Sequence, residues 1–484
     1  MADSQSVDFE LLKKYAVRRG SWYTLYPYQA QWHEEPDTAP ANAEAAIDEY
    51  LDTANGSPLA VYTHFPFCER QCFFCQCATV ISRDKAMHRR VLEDMRREIE
   101  WYADKFAKTG IQPNIRELHF GGGSPSILNE SDFEYFVESL KLVVDFDKLD
   151  ECSIEIDPRF NVAPDKLDFY ADMGIDRISF GVQDFDEKVM RAINRVNPPE
   201  MIAGFLDHPA RKRFQSVNFD ILYRLPFQTV DGHRETIERL IEFKPERVNI
   251  CQLGHRPDVF PHQRAYRSED MASIEETIEM KEVSTALMVE AGYERIGFDH
   301  FALPEDSFSK AKAAGTLHRN AMGYSTGNCI DILGIGPSAI STLGNWYVQN
   351  YYMLPQYRDM LAEQDLPAIR YLRCTNDDMT RRQIIYDFFM YGSIDKRQIE
   401  SRFGISDFDQ YFAADIGRLS ELFEDGLAED LPDVLRLTDS GFINPRHASE
   451  AFDTFLHGKG VPYAHSREVG DGRKSFDRKT QIAG

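Results

Sequence analysis

The sequence predicts an α/β protein: a parallel sheet of the (βα)6 type curled into a partial TIM barrel, followed by a small helical or winged-helix-like domain. Three observations carry this. Short β-rich runs at residues 59–64, 117–120, 152–156, 177–181, 216–222 and 247–252 alternate with amphipathic stretches such as 86–106, 132–144 and 230–243. Strands joined by helices pair in parallel, and right-handed crossovers curl such a sheet. From about residue 378 the texture changes to predicted helices at 381–391 and 408–424 and a strand at 434–438. Finally, 484 residues with 43% hydrophobic content exceed one ordinary domain.

The expected division is an N-terminal extension over the site (1–55), the barrel core (56–300), an extension completing the site (301–375), the helical domain (376–457) and a flexible polar tail (458–484). A net charge of -24 argues against nucleic acid, because phosphate tracking needs clustered Lys and Arg. A winged helix invites a DNA-binding reading, but Glu421, Glu424, Asp425, Glu429 and Asp430 make it a lid or packing module. The first twenty residues mix acids and bases without a secretory apolar run, and no stretch reaches membrane-spanning length. The expectation is a cytoplasmic monomer with no membrane span.

Of eight cysteines, Cys68, Cys72, Cys75 and Cys77 fall within ten residues, too tight for a disulfide framework and suited to a metal site in a reducing compartment. The C-x3-C-x2-C triad follows the first predicted strand. Each thiolate of Cys68, Cys72 and Cys75 can bind one iron of a cubane, leaving the fourth iron open. Zinc prefers separated pairs or His partners. An open iron can chelate an amino and a carboxylate group, which is how S-adenosylmethionine (SAM) is held in radical SAM enzymes, and the segment resembles theirs. Phe74 fits the aromatic found between the last two ligands, and Cys77 is a spare thiol. The glycines Gly121, Gly122 and Gly123 follow the second predicted strand and let backbone approach a ligand closely. They resemble the family's motif that cradles the amino end of SAM.

With Ser153-Ile-Glu155-Ile-Asp157-Pro158, Gly181-Val-Gln183-Asp-Phe, Asn194-Arg195, Asn218-Phe-Asp220, His318-Arg-Asn320 and the run 333–341 added, residues 10–455 resemble the oxygen-independent coproporphyrinogen oxidase branch of the radical SAM superfamily. The resemblance implies a radical SAM barrel, one 4Fe-4S cluster on Cys68, Cys72 and Cys75, and SAM, in two molecules side by side. Tyr62, Phe74, Gly122, Gly123, Glu155, Gln183, Arg195 and Asp220 are implied cofactor contacts, the last four at successive strand ends. Gly254, Ala321, Met322 and Ile340 are implied further contacts, and Tyr62 and His64 are candidates for catalysis. A low-potential donor such as a flavodoxin or ferredoxin is implied as electron partner.

The chain departs from the oxidases' pattern at three places. Their R-Y-T-S-Y-P-T is here Trp22-Tyr-Thr-Leu25-Tyr-Pro-Tyr28, their N-F-Q-G-Y is Asn320-Ala321-Met322-Gly323-Tyr324, and their Y-G-L-P is Tyr223-Arg224-Leu225-Pro226. A pocket that has lost an arginine, an aromatic and an amide leads to the expectation of a C-methyltransferase or cyclopropanase. It would use the second SAM as carbon donor to an sp2 carbon of a conjugated planar substrate, a quinone or aromatic natural product. The alternatives are the oxidase itself, which removes two propionate carboxyls and leaves vinyl groups, and a heme chaperone.

Overall fold

The computed structural model describes residues 9–16, 23–54, 56–160, 163–327, 329–363 and 365–457. The expected tail at 458–484 lies outside them. All six expected strands form: β1 (Pro58–Phe65), β2 (Asn114–Gly122), β3 (Glu151–Ile156), β4 (Arg177–Gln183), β5 (Ser216–Tyr223) and β6 (Arg247–Gln252). They pair in parallel in chain order. A seventh parallel strand, β7 (Asp331–Ile335), joins the free side of β1. It passes unseen in the sequence because a short, fully buried apolar run has no alternation to betray it. Short antiparallel strands prolong both ends into one open sheet of thirteen.

Alternation along the strands positions the site. On β3, Cys152, Ile154 and Ile156 are buried beneath the helices, while Glu151, Ser153 and Glu155 take the opposite face. The same phase puts Ser179, Asn218 and Asp220 with them around an internal channel of about 380 Å³. The outer face packs on helices. The longest, Lys85–Thr109, starts on the Asp84 carboxylate, which accepts from Ala86 N, and ends at left-handed Gly110. Its Glu98 is buried and accepts from Asn350 Nδ2 (2.7 Å), Gly336 N (2.8 Å) and the Tyr357 hydroxyl. Burial pushes this carboxyl up to about 7 even so.

The C-terminal module packs helix Asn376–Met390 against a three-stranded antiparallel sheet of Ser393–Asp395, Val434–Leu437 and Ala428–Asp430. The single helix predicted at 408–424 is instead three pieces, Phe408–Tyr411, Ala413–Gly417 and Ser420–Glu424. Each break turns an apolar residue inward: Phe412 packs on Phe408 and Phe452, and Leu419 is buried. Among the described residues, no helix is long and apolar enough to cross a membrane.

Candidate active site

The loop carrying the cysteines leaves β1 after Phe65. Two of its residues pair with Val80–Ile81 in a miniature sheet, and Gly123 N and Ser124 N donate to Phe65 O (2.7 Å) and Phe67 O (2.9 Å). The glycines have a definite steric task there. A Cβ on Gly123 would stand 2.5 Å from Phe67 O, and one on Gly122, which is at φ +113°, would stand 2.7 Å from Phe65 O. They let the end of β2 run hard against the cysteine loop, and Gly121 and Gly122 belong to the strand rather than to a turn after it.

Other elements pin the loop from all sides. Asn194 Nδ2 donates to Gln71 O (2.8 Å), Gln263 Nε2 to Phe74 O (3.0 Å), and Gln76 Nε2 to Gly254 O (2.6 Å). His64 Nε2 lies 2.9 Å from Ala78 O, a pure acceptor, so this nitrogen carries the proton and Nδ1 accepts from the Tyr62 hydroxyl at 3.0 Å. Burial lowers the His64 pKa, which keeps the ring neutral and makes it a brace between strand and loop.

The sulfurs face donors. Arg159 Nη2 and Arg195 Nη1 approach Cys72 Sγ at 3.1 and 3.4 Å, and Cys77 N donates to Cys75 Sγ at 3.4 Å. Asp157 balances the two guanidiniums: Arg159 grips both its oxygens (2.9 and 2.7 Å), and Arg195 Nη1 reaches Oδ2 at 3.3 Å. Burial would push this carboxyl up, but Arg195 and Arg159 outweigh it and hold it down at about 2. Three thiols on one loop, with N–H groups aimed at two of them, make a donor set suited to an iron-sulfur cluster.

Past the loop, the strand ends present a polar face. The His119 ring stacks on Tyr62 (centroids 5.8 Å apart, 13° between planes), with Nδ1 2.7 Å from Ser153 Oγ and Nε2 3.2 Å from Glu155 Oε1. Glu155 Oε2 accepts from Gly122 N at 3.3 Å. Asp220 accepts from Ser179 Oγ and Asn218 Nδ2, both at 3.0 Å. Its pKa is raised by burial and by the nearby Glu155 charge, so this pair favours a ligand that brings hydrogen-bond donors.

Above them opens a cavity of about 1040 Å³, lined by Phe74, Cys75, Cys77, Gln183 and Gly254 and roofed by Leu12, Tyr15 and C-terminal residues such as Leu427 and His447. Its basic side chains are Arg224, Arg256, Arg446 and Lys281, the last with its amine lowered to about 7 by burial, and its only carboxylate among the described residues is Asp258.

The predicted residues therefore divide. Cys75, Phe74, Gln183 and Gly254 face the cavity, while Glu155, Asp220 and Met322 line the channel. Ala321 and Ile340 sit in neither, packed in an apolar cluster with Leu25, Trp32 and Tyr347. Arg195 comes not from a strand end but from beyond helix Glu187–Ala192, and its guanidinium turns back on Gly181 O. Trp22 lies outside the described residues.

The radical SAM superfamily profile matches residues 62–240. The oxygen-independent coproporphyrinogen III oxidase of Escherichia coli (strain K12) is 34% identical over 462 residues, 96% of this chain and 98% of its own. The chain belongs to this family. The Pseudomonas aeruginosa enzyme of the same name is 33% identical, covering 94% of this chain and 97% of its own. The solved structure of E. coli coproporphyrinogen III oxidase (HemN), described as a radical SAM enzyme, superposes with a TM-score of 0.83 over 90% of this chain and 98% of that one. The chain is thus a radical SAM enzyme, with a 4Fe-4S cluster and SAM as its cofactors.

Sequence reading missed Arg159 in this family site. The signal for Arg159 stood beside a quoted motif, since it is the residue after Asp157-Pro158.

Proposed function

We propose that the chain is an oxygen-independent coproporphyrinogen III oxidase, which after hydrogen abstraction releases two propionate carboxyls of coproporphyrinogen III as carbon dioxide, passes one electron per group to an electron acceptor and leaves vinyl groups. The observation that carries this reading is the cavity beside Cys75 and Cys77, where three arginines and Lys281 meet one carboxylate in a chain of net charge -24. A site so inverted against its surroundings suits a macrocyclic substrate bearing four carboxylates, and about 1040 Å³ is at the roomy end for ligand pockets.

The relatives' shared name supports the oxidase over the carbon transfer expected from the sequence. That expectation rested on lost substrate contacts at 22, 321 and 322. Basic residues that line the cavity offset the first. Ala321 packs against Ala60, Cys329 and Ile332, so its small size does not describe the substrate pocket.

In this proposal Cys68, Cys72 and Cys75 hold the cluster as thiolates, with Arg159 and Arg195 donating to Cys72. The bound cluster and SAM supply the electron and the 5'-deoxyadenosyl radical that takes the hydrogen atom. Glu155 and Asp220 accept from ribose hydroxyls, and Gly122, Gly123 and Gln183 present backbone and amide to the methionyl end. Tyr62 holds the adenosyl group in place, and His64 orients Tyr62 through the 3.0 Å hydrogen bond. Gly254 and Met322 belong to a second SAM. The Phe74 ring and the roof keep water from the cluster. A flavodoxin or ferredoxin of the cytoplasm supplies the electron.

The test is anaerobic turnover by reconstituted enzyme with SAM and reductant. Protoporphyrinogen IX should form from coproporphyrinogen III at enzymatic rates, and 5'-deoxyadenosine released without porphyrinogen turnover would refute the assignment.

A further inference from the structure

Two of the four basic side chains of the cavity have guanidinium nitrogens without a hydrogen-bond partner among the described residues. Arg256 Nε and Nη2 are buried without a hydrogen-bond partner among the described residues. Arg224 donates from Nε to Ala272 O at 3.4 Å, and its two terminal nitrogens donate to no described residue. By contrast, Lys281 Nζ is committed to Ile443 O at 2.7 Å. The backbone adds a second observation. Arg224 sits at φ +62°, in the left-handed region where glycine is at ease and a long side chain is strained. The oxidase pattern Y-G-L-P has glycine at this position. Strain of this kind persists where the surroundings impose it and clusters at ligand sites. Arg224 stands directly after β5, four residues beyond Asp220, and both arginines face the cavity holding Cys75 and Cys77.

We propose that Arg224 and Arg256 form a carboxylate-binding subsite that takes propionate groups of the substrate. The assignment rests on the oxidase reading for the identity of the substrate, and on the geometry alone for the chemistry. The Arg224 guanidinium offers a planar fork of donors matched to the two oxygens of a carboxylate, and Arg256, whose Nε and Nη2 are buried, adds positive charge to the same cavity lining. The chain has Trp22 in place of the oxidases' arginine; on this account Arg224 and Arg256 supply the cationic contact.

The experiment compares coproporphyrin III with its tetramethyl ester, binding each to the reconstituted holoenzyme and following fluorescence quenching. Arg224→Gly and Arg256→Leu should each weaken binding of the acid by roughly 10- to 100-fold. Ester affinity, SAM affinity and iron content should stay unchanged. Glycine at 224 relieves the backbone strain, so loss of fold does not confound that variant.

Parent-like affinity for the acid in both variants would overturn the subsite, as would a parallel fall in ester binding or a parent enzyme that fails to discriminate acid from ester. The two proposals separate cleanly. If coproporphyrinogen III is converted with unchanged KM in both variants, the reaction stands and the subsite falls. If the acid binds through these arginines but no protoporphyrinogen IX forms, the subsite stands and the reaction falls.

Discussion

On the floor of the cavity the cysteine loop is held by charges withdrawn from water, with Asp157 clamped between Arg159 and Arg195 and both guanidiniums against Cys72. On the roof, helix Phe9–Ala16 is moored by exposed pairs: Lys13 to Glu275, and Lys14 to Glu421 (2.9 Å) and Asp425 (2.5 Å). Breaking one partner of a buried pair leaves a naked charge and is costly, whereas exposed pairs contribute little and weaken with salt. The contrast separates a part whose groups are fixed by buried charge from a part held by contacts that salt weakens.

The largest effect should come from the floor. Cys68→Ala should abolish the iron-sulfur absorbance and SAM cleavage together; a variant retaining both would remove the cluster from this loop. Next is Gly123→Ala, whose added methyl meets Phe67 O at 2.5 Å. It should cost on the order of 3 kcal/mol by denaturant unfolding, because backbone cannot step aside as a side chain can. Arg159→Met strips Asp157 of its paired donors and Cys72 of one. We expect about 2–5 kcal/mol lost and a shifted cluster potential by redox titration, with unchanged potential arguing against the Cys72 contact.

Acid should sharpen the comparison. His318, near the joint between the barrel extension and the C-terminal module, is pushed down to about 3 by burial and by Arg382 and Arg402. Its folded pKa lies below the ordinary 6.5, so its contribution is complete above pH 6.5 and fades as pH falls toward 3. Asp157, held at about 2 against an ordinary 3.8, contributes fully above 3.8 and fades only as pH falls toward 2. Hydrogen exchange at pH 5 should therefore open the C-terminal module before the strand ends, and His318→Gln should flatten that difference. The smallest effect belongs to Lys14→Ala, which should change KM only slightly, and less in high salt than in low.

These two regions were also unequally legible in the sequence. The floor is written in short contiguous motifs, because each strand delivers its residues at one end: Cys68 to Cys75, the glycine run, Glu155 and Asp220 can be read in chain order. What closes the floor is less visible. Arg159 follows Asp157-Pro158 directly, but its contact with Cys72 spans 87 residues and appears only in the fold. The cavity gathers Leu12, Arg224, Lys281 and His447 from distant stretches, so its basic character appears only in three dimensions. The fold class was readable from alternation, whereas β7 lacked alternation and the helix expected at 408–424 broke to bury Phe412 and Leu419.

The most direct test is a mass balance on a single anaerobic incubation with methyl-labelled SAM and coproporphyrinogen III. The account predicts loss of two carboxyls as carbon dioxide, 5'-deoxyadenosine formed in step, and a product free of label. Labelled carbon in the product, with all four carboxylates retained, would contradict it.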